Sequence, residues 1–201
     1  MSHPKKEQTL IIIKPDGIQR TLIGEIIKRY ERTGLKLIAL KMLIAKTETI
    51  RKHYTIDPEW IIKVGEKSIL SYEKKGLKAP YSDPEKVGNK VLKNLQGYMT
   101  SGPIILMVWE GNQAVGIVRK ITGGTEPLVS DVGTIRGDFT VDSYQIADTD
   151  DRPIRNLIHA SGTVDEAQKE IALWFLKEEL LNYRLIQEQI LYDVNMDGVK
   201  E

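Results

Sequence analysis

The residues of this chain best placed for chemistry are His159 and Glu170, a histidine followed by a carboxylate that interrupts an apolar helical stripe. Val164, Ala167, Ile171, Trp174 and Phe175 recur at helical spacing, and Glu170 falls on the edge of that face. A carboxylate in such a place needs a partner. Thr163 followed by Glu166 is a capping-box signature, so the helix is expected to start just after the histidine loop. His159 then lies near a helix N-terminus, whose free amides favour anions, and a histidine oriented by a carboxylate serves as a nucleophile or a proton-transfer group. Phosphate chemistry is the reading this suggests. A single histidine at a strand end is more often structural, so the case depends on what else the chain supplies.

Three cations and several hydroxyls supply it. Leu10 to Gly17 reads as a buried strand that ends in Lys14 and a Pro15-Asp16-Gly17 turn. Arg119 lies on a helical segment, and Ile121 to Pro127 follows as a glycine-containing loop that carries Thr125. Arg136 sits in Gly133-Thr134-Ile135-Arg136-Gly137-Asp138. Cations and donors on segments that expose their backbone suit a polyphosphate, whose oxygens must be approached closely. Arg119 or Arg136 alone would be read as a solvated charge, and Tyr54 as a core-edge aromatic.

The elements that must position these groups read as a βαββαβ arrangement. Strands are expected at Thr9 to Ile13, Leu35 to Ile44, Pro103 to Trp109 and Leu157 to His159. Helices are expected at Gly24 to Arg32 (Ile26, Ile27 and Tyr30 inward), Thr47 to Ile56, Val91 to Thr100, Asn112 to Ile121 and Thr163 to Phe175. The expected fold class is therefore α+β, an antiparallel sheet covered by helices.

Composition sets the outer limits. The 201 residues suffice for one packed domain with embellishments, here 1–201 with a helical insertion at about 57–90, punctuated by Gly65, Gly76, Pro80 and Pro84, and a tail at 182–201. Twenty-nine basic against 28 acidic residues give a net charge of +1, so no overall basic field marks nucleic acid as the main partner. The sequence has no cysteine, which removes disulfide frameworks and thiol catalysis and fits a reducing compartment. The first residues lack an apolar core and no run approaches membrane-spanning length, so the expected location is cytoplasmic.

Four separated motifs then carry a resemblance. Ile13-Lys14-Pro15-Asp16-Gly17, Glu110-Gly111 with Arg119, Gly133 to Phe139, and Asn156-Leu157-Ile158-His159 leading to Glu170 through Phe175 agree in order and spacing with the nucleoside diphosphate kinases. That family moves a terminal phosphate between nucleotides through a phosphohistidine, on a ferredoxin-like fold. The resemblance implies that His159 is the nucleophile, that Glu170 orients its ring, and that Ser161 hydrogen-bonds to Glu170. It implies a phosphate and sugar site lined by Lys14, Tyr54, Arg119, Thr125, Arg136 and Asn156. Mg2+ is implied as an ion carried by the nucleotide phosphates with no dedicated protein ligands, and the assembly as a homo-oligomer, a hexamer ahead of a tetramer or dimer. Pro127, in the loop from Thr122 to Val132, matches the family's inter-subunit loop.

The chain departs from the family pattern at two positions. Gly162 stands where an aspartate is common, which removes a negative group near a helix start. Val91 stands where a phenylalanine commonly stacks on the base. Stacking would then fall to Trp60, Tyr72 or Tyr81 of the 57–90 segment, read as an enlarged nucleotide lid or else as surface elaboration. The insert around 140–151 is acidic and expected to be exposed. A rival reading follows from these departures: a catalytically weakened nucleotide-binding or scaffolding member of the same fold. No Gly-x-x-x-x-Gly-Lys-Ser/Thr loop occurs, which disfavours a P-loop kinase. Asp193 to Gly198 matches only the first half of a calcium loop, because the chain ends before the bidentate glutamate.

Overall fold

In the computed structural model, which describes residues 6–192 and 197, β1 (Glu7–Ile13), β2 (Lys36–Leu43), β3 (Ile104–Gly111) and β4 (Ile158–Ala160) form one antiparallel sheet. Their order is β2-β3-β1-β4. β1 is central, paired with β3 from Glu7 opposite Gly111 to Ile13 opposite Ile105, and with β4 where Ile12 faces His159. A strand covered on both faces should be apolar without alternation, and Leu10 through Ile13 are fully buried.

The period of two still divides the core. Leu10 and Ile12 point to one side, with Ile50 of α3 (Thr47–Tyr54), Met99 of α5 (Pro84–Met99), and Ile171 and Trp174 of α9 (Val164–Trp174). Ile11 and Ile13 point to the other, with Ile26 and Tyr30 of α2 (Ile23–Glu31), and Ala114 and Val118 of α6 (Ala114–Thr122). This is the ferredoxin-like βαββαβ plan that the sequence suggested.

Some local readings need correction. Pro15-Asp16-Gly17 is not a free turn but the start of a short helix, α1 (Pro15–Gln19), with Lys14 at its N-cap in extended conformation. Proline fits a first helical turn, where its missing N–H costs nothing. Gly17 is required there, because a Cβ would lie 2.8 Å from the Ile13 side chain and 3.2 Å from the Leu157 carbonyl oxygen.

The 57–90 segment is helical, as expected, but Gly65 does not punctuate it. Gly65 lies inside α4 (Trp60–Lys74), which packs against an α5 that begins seven residues before the expected Val91. A Cβ at Gly65 would meet the Pro84 carbonyl oxygen at 1.9 Å, and one at Gly88 the Ile61 oxygen at 2.0 Å, so both glycines permit close approach of the two helices. The 140–151 stretch is not simply exposed either. Asp142 and Ala147 are buried, and α8 (Tyr144–Thr149) is capped by the Ser143 hydroxyl, which accepts from the Ile146 amide. After α7 (Ile135–Phe139) and α8, the chain enters β4.

Beyond α9 the chain runs along the free edge of β2. The Leu181 amide donates to the Ile38 carbonyl and the Tyr183 hydroxyl to the Leu37 carbonyl, before α10 (Glu188–Tyr192) brings Glu188 to Lys36 at 2.9 Å. The Asp193 to Gly198 motif lies outside the described residues except for Asp197. Among the described residues no helix is long and apolar enough to cross a membrane.

Candidate functional site

A cavity of about 550 Å³ opens beside the sheet, with His159 on its floor and α4, α5 and α8 on its walls. His159 is delivered by β4. The backbone immediately before it is strained: Leu157 has a φ of 69°, and the Ile158 amide donates to the Asn156 carbonyl at 2.7 Å, a γ-turn. A branched residue in that conformation costs about 1–3 kcal/mol and persists only where its surroundings enforce it. They do so here. The Leu157 amide donates to Asp16 Oδ2, and its carbonyl receives the Lys14 amide. Arg136 binds the carbonyls on either side, Asn156 and Ile158.

His159 Nε2 lies 2.7 Å from Glu170 Oε1, and the Ser161 hydroxyl donates to Glu170 Oε2 at 2.6 Å. Glu170 is 1% exposed. Burial pushes its carboxyl up; the His159 ring and its hydrogen bond, with His53 and Ser161 behind them, outweigh burial and hold the pKa below its ordinary value. An ionised carboxylate only accepts, so His159 donates from Nε2 and its Nδ1 keeps a lone pair. That leaves Nδ1 as the ring nitrogen with no hydrogen-bond partner among the described residues.

The cations differ in how far the protein occupies them. Lys14 is buried and donates to Asn156 Oδ1 at 2.7 Å. Burial, reinforced by Arg136 and opposed by Asp16, lowers its pKa to about 7. Arg119, in the last turn of α6, lines the cavity, and its side chain makes no hydrogen bond or ion pair with another described residue. Arg136 lines it too, but donates to the carbonyls of Gly123, Gly124, Asn156 and Ile158. Its pKa is lowered to about 10, chiefly by burial. Arg136 is thus largely a brace for the loops around the site.

Asn156 is similarly committed, since its amide nitrogen donates to the Thr125 carbonyl at 2.8 Å. Tyr54, Thr125 and Val91 all line the cavity. The structure therefore brings together Lys14, Tyr54, Val91, Arg119, Thr125, Arg136, Asn156 and His159, with Glu170 and Ser161 behind the histidine.

The three aromatic candidates separate. Tyr72 lines the cavity, whereas Trp60 packs on Tyr54 with ring centroids 5.4 Å apart and Tyr81 is 48% exposed. The sequence reading missed the opposite wall, Tyr144, Ala147 and Asp148 of α8. Two ion pairs join the walls, Lys75 to Asp148 at 2.6 Å and Lys90 to Asp151 at 2.8 Å. His53 was missed as well, although it directly precedes Tyr54 at the end of α3.

At Gly162 the negative group is not lost. The Thr163 hydroxyl accepts from the Glu166 amide as a capping box requires, but the Glu166 carboxylate turns to the Gly162 amide, at 2.9 Å. A Cβ at Gly162 would lie 2.6 Å from that carboxylate oxygen, so Glu166 occupies the space a side chain there would use.

His53, His159 and Glu170 are the one group of histidine and carboxylate side chains, among the described residues, whose donor atoms all lie within 4.8 Å. Glu170 is already bound to His159 and Ser161, and the Trp174 indole N–H donates to His53 Nδ1 at 3.2 Å. Both Glu170 oxygens, His159 Nε2 and His53 Nδ1 are thus already engaged. The end of the cavity that holds Lys14, Arg119 and Arg136 offers cations and, among the described residues, no uncommitted carboxylate, which fits a divalent ion carried in on a ligand.

A family model described as nucleoside diphosphate kinase matches residues 7–59 and 62–180, a span that includes most of the 57–90 segment. A nucleoside diphosphate kinase of Pyrobaculum aerophilum is 46% identical over 179 residues, 87% of this chain and 98% of its own. The crystal structure of an NDP kinase from that organism superimposes with a TM-score of 0.85 at 44% identity, over 88% of this chain and all of the other. A Borrelia burgdorferi nucleoside-diphosphate kinase, solved as a transition state mimic with bound vanadate and ADP, has a TM-score of 0.74 at 35% identity, over 90% and 94% of the two chains.

Proposed function

The chain belongs to the nucleoside diphosphate kinase family, and from that premise we propose that it transfers the γ-phosphate of ATP, or another nucleoside triphosphate, to nucleoside diphosphates through a phosphohistidine at His159. One observation carries the assignment of the nucleophile: Glu170 engages Nε2 at 2.7 Å, which leaves the Nδ1 lone pair beside the cavity. That lone pair forms the N–P bond while the bond from phosphorus to the β,γ-bridging oxygen breaks, its electrons leaving with the nucleoside diphosphate. The second nucleotide reverses the step with its own terminal phosphate oxygen. Glu170 offsets the charge that the phosphorylated ring gains, and no proton has to leave Nε2.

Lys14 and Arg119 supply positive charge where the transferring oxygens gather negative charge, and Arg136 and Asn156 hold the loops and Lys14 in place. Magnesium is read as part of the nucleotide substrate and neutralises phosphate charge when bound. Tyr54, Thr125, Val91 and Tyr72 complete the lining. The whole chain is read as one domain, and the cytoplasm as its compartment.

The proposed assembly is a homo-oligomer, a hexamer ahead of smaller forms. Leu128, Val129 and Val132 in the loop after α6 are exposed, as are Leu40, Met42 and Ile44 along β2, and both patches are apolar surface of the kind that subunits cover.

Steady-state kinetics test the reaction. A single site that serves both half-reactions gives parallel double-reciprocal lines, with base preference below about a thousandfold, roughly 4 kcal/mol. Intersecting lines would refute the covalent intermediate, and a vanishing kcat with nucleotide still bound would favour a member of the fold with weakened turnover.

A further inference from the structure

His53 is 3% exposed and does not line the cavity, yet its ring stands edge-on to His159, with centroids 4.5 Å apart at 81°. Its Nδ1 lies 3.6 Å from Glu170 Oε1, the oxygen that binds His159. A histidine beside a buried carboxylate would ordinarily protonate and pair with it, in competition with His159. Trp174 prevents this. It lies one turn after Glu170 on α9, and its indole N–H, which can only donate, takes the Nδ1 lone pair at 3.2 Å. His53 is thereby confined to the neutral tautomer with its proton on Nε2. Nδ1 and Oε1 then face each other as two acceptors and do not form an ion pair.

The price of the arrangement is visible. His53 Nε2 is buried without a hydrogen-bond partner among the described residues. A position that served only packing would suit an apolar ring better.

We propose that the Trp174–His53 pair is a positioning device, which keeps Glu170 Oε1 committed to His159 and holds the His159 ring with Nδ1 toward the substrate. The inference rests on His159 being the nucleophile. The charged and titratable groups facing His53 are Glu170 on α9, His159 on β4, Lys14 after β1 and its own neighbour Tyr54, and the pKa of His53 is lowered to about 3, first by burial and then by His159. In the intact site it therefore stays neutral throughout the working range.

The test is the single-turnover rate of His159 phosphorylation at saturating MgATP, from pH 5 to 9, with KM measured alongside. Trp174→Phe frees Nδ1 to take a proton and donate it to Glu170, so its rate should fall at least tenfold below wild type at pH 5 and approach wild type at pH 8, with KM unchanged. His53→Phe frees the indole N–H to compete for Glu170 at every pH, and should lower the rate without an acid limb. The double variant removes both competitors and at pH 5 should be faster than either single variant. His53→Asn, whose side-chain oxygen can accept from Trp174, should keep most of the rate and serves where the phenylalanine variants fold poorly. A wild-type pH profile in Trp174→Phe, with losses that simply add in the double variant or a His53→Asn as slow as His53→Phe, would overturn the inference while leaving the nucleophile in place. A wild type that forms no phosphohistidine would overturn both.

Discussion

Ser161 and Glu170 are joined hydroxyl to carboxylate at 2.6 Å, and the same Ser161 oxygen receives the Leu10 amide at 3.1 Å. One fully buried side chain thus ties the orienting carboxylate to the central strand. Ser161→Ala leaves an acceptor and an amide donor buried without partners, each costing about 1–3 kcal/mol. Thermal unfolding should move down by several degrees, at about 2–4 °C per kcal/mol for a chain of this size. Phosphorylation of His159 should slow by about tenfold or less, because Glu170 keeps its bond to the ring. An unchanged melting temperature would show that water takes over both groups.

Lys14 gives a pH dependence of defined sign. Its pKa is lowered to about 7, first by burial and then by Arg136, whereas in the unfolded chain it holds its proton to about 10.4. Between those values the unfolded state binds more protons, so this residue's contribution to stability rises with pH from about 7 to about 10 and is least favourable below 7. Wild type should therefore gain stability relative to Lys14→Met across that window. Bound phosphates restore the charge, so nucleotide binding at pH 8.5 should take up a proton, read by calorimetry in buffers of different ionisation enthalpy. The same uptake in Lys14→Met would assign it to another group.

The 57–90 segment should govern nucleotide affinity more than phosphoryl transfer. Tyr72 lines the cavity, while Trp60 lies behind Tyr54 and Tyr81 faces solvent. Tyr72→Ala should raise the nucleotide KM and Tyr81→Ala should not, with saturated phosphorylation within about tenfold of wild type. Lys75→Ala, which opens the link to Asp148, should raise KM by a few-fold, as befits a part-exposed ion pair. Wild-type KM in both Tyr72→Ala and Lys75→Ala would reassign the segment to surface structure.

The sheet was legible because β1 from Leu10 to Ile13 and β3 from Ile104 to Trp109 are unbroken apolar runs and the α2 and α9 stripes keep helical period. The residues that share the cavity were legible because they sit in short motifs with fixed spacing. What the sequence hid depends on tertiary neighbours. Arg136 reads as a phosphate cation, and four of its five N–H donors also go to carbonyls that only the fold brings together. Asn156 reads as part of the phosphate and sugar site, and its bonds to Lys14 and the Thr125 carbonyl are visible only in the fold. His53 gives no signal of its own, since its tautomer is set by a tryptophan on a distant helix. The acidic 140–151 stretch looked solvated, because a six-residue helix with one buried alanine has too short a period to read.

The most direct test of the account is incubation of the protein with ATP labelled at the γ-phosphate and no acceptor, followed by mapping of the modified residue. The account predicts an acid-labile, base-stable label on His159 that a nucleoside diphosphate removes, absent from His159→Ala. A label that persists in His159→Ala, or maps to another residue, would contradict it.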